Sequence, residues 1–114
     1  MTRRKDAVRC GMRTPPVPLS PADLQRRLTD LPGWRIGLGT IERSWDFADF
    51  RAAFDFMTRV AADAEALDHH PDWSNVYRRV SVRLSTHEAG NQVTERDLAL
   101  ASCMDRHAAV VLAG

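Results

Sequence analysis

The strongest constraint on the fold is a change in hydrophobic period at Pro71. In residues 49–68, apolar side chains recur every three to four positions and predict a long amphipathic helix. A proline disfavours the helical conformation in the preceding residue, so this helix should end near His69. Residues 74–86 alternate between apolar and polar side chains, which predicts one strand with a single buried face. The apolar side of that strand is expected to hold Val76, Val80, Val82 and Leu84.

The long helix should pack through an apolar stripe. This stripe is wide for the core of a 114-residue chain, so we expect part of it to contact a second subunit. A charge placed on it, such as Phe56→Glu, should dissociate the assembly or prevent folding. The predicted stripe consists of Phe50, Phe54, Met57, Ala61 and Ala64, widened by Phe56 and Val60.

The segment before the long helix predicts a shorter helix and a hairpin. Ser20 and Pro21 are a typical N-cap and first helical residue, and the pair at 32–33 should end that helix. Two alternating runs follow, separated by Gly37 and Gly39, and indicate a β-hairpin. The residues expected to share its buried face are Trp34, Ile36 and Leu38.

The C-terminal part should add one strand and one helix. Residues 87–94 are expected to form a final strand across a bend at Gly90, and Thr94 should cap a helix that runs to the C-terminus. The resulting order is α-β-β-α-β-β-α. Because short connections join the paired strands, we expect an α+β fold, a four-stranded antiparallel sheet with the helices covering one face.

Length and composition limit which architectures and which partners are possible for this chain. The formal net charge of +1 lacks the basic excess typical of nucleic-acid binders. Residues 19–114 should form one domain, and residues 1–18 a disordered tail within which Met12 is an alternative start. No apolar run approaches the ~18 residues of a membrane span, and no secretory signal is evident. Cys10 and Cys103 lack disulfide-framework or metal-ligand spacing, so a cytoplasmic location is expected.

Three of the four histidines surround the passage from helix to strand. His69 and His70 leave a helix C-terminus, where the helix dipole favours the imidazolium, and Glu65 and Asp68 act in the same direction. A charged histidine there suits a general acid. His87 lies at the far end of the predicted strand.

Three interpretations of these histidines remain open on spacing alone. They could form a metal-free acid–base site, bind zinc together with Glu65 or Asp68, or merely terminate a helix and fill a loop. Zinc is the least favoured, since adjacent histidines point apart and no HExxH or CxxC motif accompanies them. His107, alone on the last helix, is expected to be structural or exposed.

The segment DHHPDWSNVYRRVSVRLSTHE closely resembles the signature of the pterin-4a-carbinolamine dehydratases, HHP-x-W-x-x-x-Y-x-x-V-x-x-x-L-x-TH. The similarity extends over residues 19–109, nearly the whole expected domain. It implies the same fold and the dehydration of 4a-hydroxytetrahydropterin to quinonoid dihydropterin. The family's reaction needs no metal and no cofactor, since the pterin is the substrate. It supports tetrahydropterin recycling for aromatic amino-acid hydroxylases, phenylalanine hydroxylase above all.

The resemblance also assigns roles to individual positions. His69 and His87 match the family's principal acid–base residues, and His70 matches a residue chiefly concerned with binding the substrate. Trp73 would flank the pterin ring or belong to the core or an interface. The loop that leads to Asp97 is long for the family. The further positions that match the pterin pocket or its acidic surroundings are Glu65, Asp68, Pro71, Ser85, Thr86, Glu88 and Asp97.

Two expectations about partners follow from the same resemblance. Members of the family form dimers or tetramers, so we expect a homodimer or homotetramer. Some members also act as dimerisation cofactors of a homeodomain transcription factor. A regulatory protein-binding module with little catalysis is therefore the alternative function.

Overall fold

The computed structural model describes residues 16–114, and the first fifteen residues of the expected tail, including Met12, lie outside this part of the chain. The predicted order α-β-β-α-β-β-α is confirmed. Two 3-10 turns, Leu28–Asp30 and His87–Ala89, follow the first helix and the last strand. The elements are α1 Pro21–Arg27, β1 Arg35–Ile36, β2 Ile41–Asp46, α2 Phe50–Leu67, β3 Asp72–Val76, β4 Arg79–Leu84 and α3 Glu95–Ala113.

The four strands form one antiparallel sheet in the order β1-β2-β4-β3. One face is apolar and buried, because Trp45 on β2 and Val80 on β4 are register partners that point toward the helices. The other face is polar, and there Ser44 and Ser81 share a hydrogen bond of 3.0 Å between hydroxyl oxygens. The predicted α+β class, with helices covering one face, is therefore confirmed.

Side-chain caps explain where the helices begin. Ser20 Oγ accepts the Asp23 N–H at 3.1 Å at the start of α1, as the sequence predicted. Asp49 Oδ1 accepts the Ala52 N–H at 2.8 Å at the start of α2. Thr94 caps α3 in a full capping box.

The helix α2 buries only part of its predicted apolar stripe. Its fully buried residues, Ala53, Phe56, Val60 and Ala64, recur at helical spacing and face the sheet and α3. Phe50 and Phe54 are instead 49% and 55% exposed, and their rings stack with centroids 5.7 Å apart. Of the predicted stripe, Phe56, Val60 and Ala64 are therefore buried, whereas Phe50 and Phe54 belong to a second, adjacent apolar stripe. Periodicity alone does not show which of the two stripes faces the core.

The single strand predicted for residues 74–86 is a hairpin. Tyr77 and Arg78 form a two-residue turn, and Tyr77 has a φ of 54°. Val76 pairs with Arg79 and shares its face, so Val76 is 72% exposed while Val80 is buried on the other face. The second strand pair is therefore β3 and β4.

Two further details of the predicted strands were wrong. Residues 87–94 form a 3-10 turn and one isolated bridge between Thr86 and Gln92 rather than a strand. The strand β1 has only two residues. The three residues expected on its buried face are divided, since Trp34 is buried and Ile36 and Leu38 lie on the surface.

Aromatic side chains fill the core between sheet and helices. The Trp45 and Phe56 ring centroids are 4.8 Å apart, and Trp34 meets Trp45 edge-on at 5.7 Å. Arg43, which interrupts the alternation of β2, lies over Trp45 and bonds to Asp105 at 3.1 Å. Burial raises the pKa of the Asp105 carboxyl above its ordinary 3.8, outweighing the hydrogen bond from Trp34 and the charge of Arg43.

Across residues 16–114, the helices all lack the combination of length and hydropathy that a bilayer crossing requires.

Candidate active site

The end of α2 turns two adjacent histidines in opposite directions. Asp68 adopts the left-handed conformation, with φ 55° and ψ 42°, which stops the helix. The His69 N–H then bonds back to the Ala64 carbonyl at 3.0 Å, so the chain folds over the helix terminus. As a result the His69 side chain is 7% exposed and the His70 side chain 58% exposed. The expectation that the two rings point apart is confirmed.

His69 is held by a buried carboxylate on α3. Its Nε2 lies 2.6 Å from Oδ1 of Asp97, a residue with no exposed surface. The other carboxylate oxygen, Oδ2, accepts the Thr94 backbone N–H at 2.9 Å and the Thr86 hydroxyl at 2.8 Å. Asp97 is the third residue of α3, where the helix dipole also favours a negative charge.

These bonds assign the proton on the His69 ring. An ionised Asp97 carboxylate, which already accepts two hydrogen bonds at Oδ2, is an acceptor at Oδ1 as well. The His69 Nε2 must therefore carry a hydrogen and donate it. In the neutral ring, the lone pair is then on the other nitrogen, Nδ1.

His70 and Glu65 form a second, exposed pair. The His70 Nε2 lies 2.9 Å from Glu65 Oε2, one helical turn back along α2. Both side chains are more than half exposed, so solvent weakens their mutual attraction. Such a pair stays free to reorganise around a ligand.

His87 lies on the surface, in the 3-10 turn that directly follows the buried Thr86. Its Nδ1 is 3.4 Å from Oδ1 of Asn91, a residue with a φ of 60°. The adjacent Glu88 accepts a bond from Arg96 at 3.3 Å, which ties this turn to α3. The turn that carries His87 is therefore linked to the start of α3, the helix that also carries Asp97.

The remaining predicted site residues occupy varied positions. Trp73 is half-buried and packs against the core, and Pro71 and Ser85 are also half-buried. Thr86 has no exposed surface, and its hydroxyl faces Asp97 rather than solvent. Sequence reasoning treated Thr94 only as a helix cap, although the Thr-x-x-Asp spacing of a capping box already placed it beside Asp97.

A groove of about 330 Å³ lies elsewhere, between α1 and α3. Across it Arg27 donates two hydrogen bonds to Glu95, at 2.5 and 3.0 Å, and lowers the Glu95 pKa. None of the predicted site residues lines this groove. The surroundings of His69, His70 and His87, rather than this groove, are therefore the candidate site.

Within residues 16–114, no three or more His, Cys, Asp or Glu side chains are grouped so that they could hold a metal ion. His69 is hydrogen-bonded to Asp97, and His70 is hydrogen-bonded to a different carboxylate, that of Glu65. Fold and site together define a small α+β protein that holds one histidine against a buried carboxylate.

Comparison with known proteins identifies the family. The chain belongs to the pterin 4 alpha carbinolamine dehydratase family, whose sequence model matches residues 17–107. A protein named "Putative pterin-4-alpha-carbinolamine dehydratase" from Opitutus terrae is 50% identical over 86 residues, covering 75% of this chain and 89% of its own. A protein of the same name from Nitrobacter winogradskyi is 55% identical over 80 residues, with coverages of 68% and 78%.

A solved structure is also similar. It is described as a transcriptional coactivator/pterin dehydratase from Brucella melitensis. It shares 44% identity with a TM-score of 0.76, covering 80% of this chain and 98% of that one. The family resemblance seen in the sequence is therefore confirmed.

Proposed function

We propose that this chain dehydrates 4a-hydroxytetrahydropterin to quinonoid dihydropterin by histidine acid–base catalysis, as a hydro-lyase without metal or cofactor. Family membership supports the reaction. The observation that carries the mechanism is the buried bond of 2.6 Å between His69 and Asp97. A histidine held in this way is oriented for proton transfer, as in other His–carboxylate pairs of enzymes.

The chemistry needs one acid and one base. A hydroxyl leaves ring carbon 4a as water after it is protonated, and a ring N–H gives up its proton to form the quinonoid product. His69 accepts the ring proton at Nδ1, and Asp97 stabilises the resulting imidazolium. His87, which is exposed, protonates the leaving oxygen and recovers its proton from solvent. His70, with Glu65, binds and orients the pterin.

The product is a substrate for reduction back to tetrahydropterin. We propose that the chain acts in the cytoplasm, in tetrahydropterin recycling that supports phenylalanine hydroxylase. The pocket would also draw on Asp68, Pro71, Trp73, Ser85 and Glu88 as substrate-binding residues.

The experiment that tests the proposal compares histidine variants with freshly generated 4a-hydroxytetrahydropterin, after subtracting spontaneous dehydration. His69→Ala and His87→Ala should each lower kcat by roughly 10²-fold or more, because each removes a working acid or base. His70→Ala should mainly raise KM. The matched control is His107→Ala, since His107 bonds to Asp63 between α2 and α3 at 2.5 Å and has no proposed catalytic role.

Small and equal effects of all three site variants would contradict this division of labour. Chelator should leave the rate unchanged, and elemental analysis should find no stoichiometric zinc. One tightly bound zinc per chain, lost together with activity, would overturn the metal-free mechanism.

The same chain is proposed to assemble as a homodimer or a homotetramer. Within residues 16–114, β3 is an edge strand of the sheet, and a second copy could pair with it across a twofold axis. Phe50 and Phe54 add an exposed apolar patch on α2 that a partner subunit would cover.

A regulatory, protein-binding role is the second candidate. It is favoured by the description of the Brucella melitensis relative as a transcriptional coactivator as well as a pterin dehydratase. The dehydratase assay separates the two: a chain that acts only through protein contacts would not exceed the spontaneous rate.

A further inference from the structure

We infer that Thr94 is a positioning residue for the proposed dehydration, because it holds Asp97 and thereby sets the orientation and tautomer of His69. This inference rests on the proposed function. It adds a second role to a residue whose evident task is to cap α3.

The backbone of Thr94 makes the first contact. Its N–H donates to Asp97 Oδ2 at 2.9 Å, and this bond is one half of the capping box. The opposite oxygen of the same carboxylate, Oδ1, receives the His69 Nε2–H at 2.6 Å. The carboxylate therefore joins the start of α3 directly to the ring of His69.

The hydroxyl of Thr94 makes the second contact, a hydrogen bond to the hydroxyl of Thr86. Each hydroxyl has a single proton, and this decides which of the two threonines is the donor. The Thr86 hydroxyl has one proton, which it gives to Asp97 Oδ2 at 2.8 Å. The bond of 2.7 Å between the two threonine hydroxyls must therefore be donated by Thr94. Thr94 Oγ1 in turn accepts the Arg96 N–H at 3.2 Å. The donors thus run from Arg96 through Thr94 and Thr86 to Asp97.

Burial makes this chain of bonds hard to replace. Thr86 and Asp97 have no exposed surface and Thr94 is 1% exposed, so water has little access to fill a missing position. Without the Thr94 hydroxyl, Thr86 Oγ1 no longer accepts a hydrogen bond. The orientation of the Thr86 hydroxyl that donates to Asp97 is then fixed by one bond fewer. Any shift of Asp97 is passed to His69 through their direct bond.

A comparison with α1 separates positioning from ordinary capping. Ser20 caps α1 with the same kind of bond, to the N–H of Asp23, but the Asp23 side chain bonds to the exposed Arg26. In α3 the corresponding aspartate holds a histidine of the candidate site. Ser20→Ala is therefore a matched control, since it removes a hydroxyl cap without touching His69.

The test uses Thr94→Val, which keeps the size and the backbone N–H but deletes the hydroxyl, and Thr94→Ser, which restores the hydroxyl. Val accepts the extended backbone of this position, with φ −132° and ψ −178°. Thr94→Gly provides a second deletion, because glycine is tolerated at N-caps. Two measurements are made: the kcat and KM of dehydration, and the ¹⁵N NMR signals of the His69 ring, assigned by comparison with His69→Ala.

Thr94→Val and Thr94→Gly should lower kcat by roughly 10-fold to 10²-fold with little change in KM, as expected for a misplaced catalytic group. The ring signals should shift away from a single Nε2–H tautomer. Thr94→Ser should restore both measurements, and Ser20→Ala should change stability alone.

Wild-type kcat and wild-type ring signals in both deletion variants would overturn the inference, and so would a loss of stability with unchanged ring signals. The NMR measurement does not depend on turnover. A wild-type protein without dehydratase activity would therefore defeat the proposed function, while the ring signals would still decide whether Thr94 positions His69.

Discussion

Asp97→Asn is the sharpest perturbation of the candidate site, because it changes one oxygen into an amide nitrogen and almost nothing in volume. The new amide has two orientations. If its oxygen faces His69, its nitrogen faces two donors, the Thr94 N–H and the Thr86 hydroxyl. A buried donor left unsatisfied there costs about 1–3 kcal/mol.

The opposite orientation avoids this cost. The amide oxygen then accepts from Thr94 and Thr86, and the amide nitrogen donates to His69 Nε2. This requires His69 to move its proton to Nδ1, the nitrogen that the proposal uses to accept the ring proton of the substrate. The variant should therefore fold, with a stability loss of about 1.5–3 kcal/mol for the lost charged hydrogen bond.

The expected consequence is a fall in kcat of roughly 10²- to 10⁴-fold, the range that one acid–base group contributes. The assay follows freshly generated 4a-hydroxytetrahydropterin with the spontaneous rate subtracted, and circular dichroism checks folding. Asp105→Asn is the matched control, since Asp105 also accepts a hydrogen bond from a ring N–H, that of Trp34 at 2.9 Å, but lies outside the site. A folded Asp97→Asn protein with kcat within a few-fold of wild type would refute the assignment of the His69 tautomer.

Two other predictions concern assembly and pH. Phe54→Glu should leave the chain folded but reduce the mass of the assembly in light scattering, because Phe54 is 55% exposed. Phe56→Glu should instead prevent folding, because Phe56 is fully buried. An unchanged assembly in Phe54→Glu would exclude the patch of Phe50 and Phe54 as a subunit contact. Burial raises the folded-state pKa of Asp105 above 3.8, so the native state holds more protons than the unfolded state just above that pH, and this group's contribution to stability falls as pH rises. Urea titrations give the difference between the unfolding free energies of wild type and Asp105→Asn. This difference should decrease from pH 3.8 upward until Asp105 is ionised in both the folded and the unfolded state. An increase would mean that the ion pair with Arg43 dominates.

Local features of the chain were predictable because they depend on neighbouring residues. The caps of α1 and α3 at Ser20 and Thr94, and the end of α2 before Pro71, were all evident from spacing. The separation of His69 from His70 also followed, since adjacent side chains at a helix terminus diverge. The order of helices and strands was predicted as well, although the bounds of the second strand pair were wrong.

The hairpin between β3 and β4 was not predictable in the same way. Its turn at Tyr77 and Arg78 contains none of the glycine, asparagine, aspartate or proline that usually marks such a turn. A positive φ is uncommon for tyrosine, and here strand pairing overrides that local preference. The alternation of valines through the turn therefore resembled one continuous strand.

The amino-acid sequence was sufficient for the element order, the family and the histidines worth testing, because periodicity, caps and motif spacing are local properties. It was not sufficient to choose between the two apolar stripes of α2, or to place Asp97 against His69. Those two residues are 28 positions apart, and they meet only because α2 and α3 pack side by side on the sheet. Contacts between distant segments depend on how whole faces are buried together, and the folded arrangement alone selects which face of each helix turns inward.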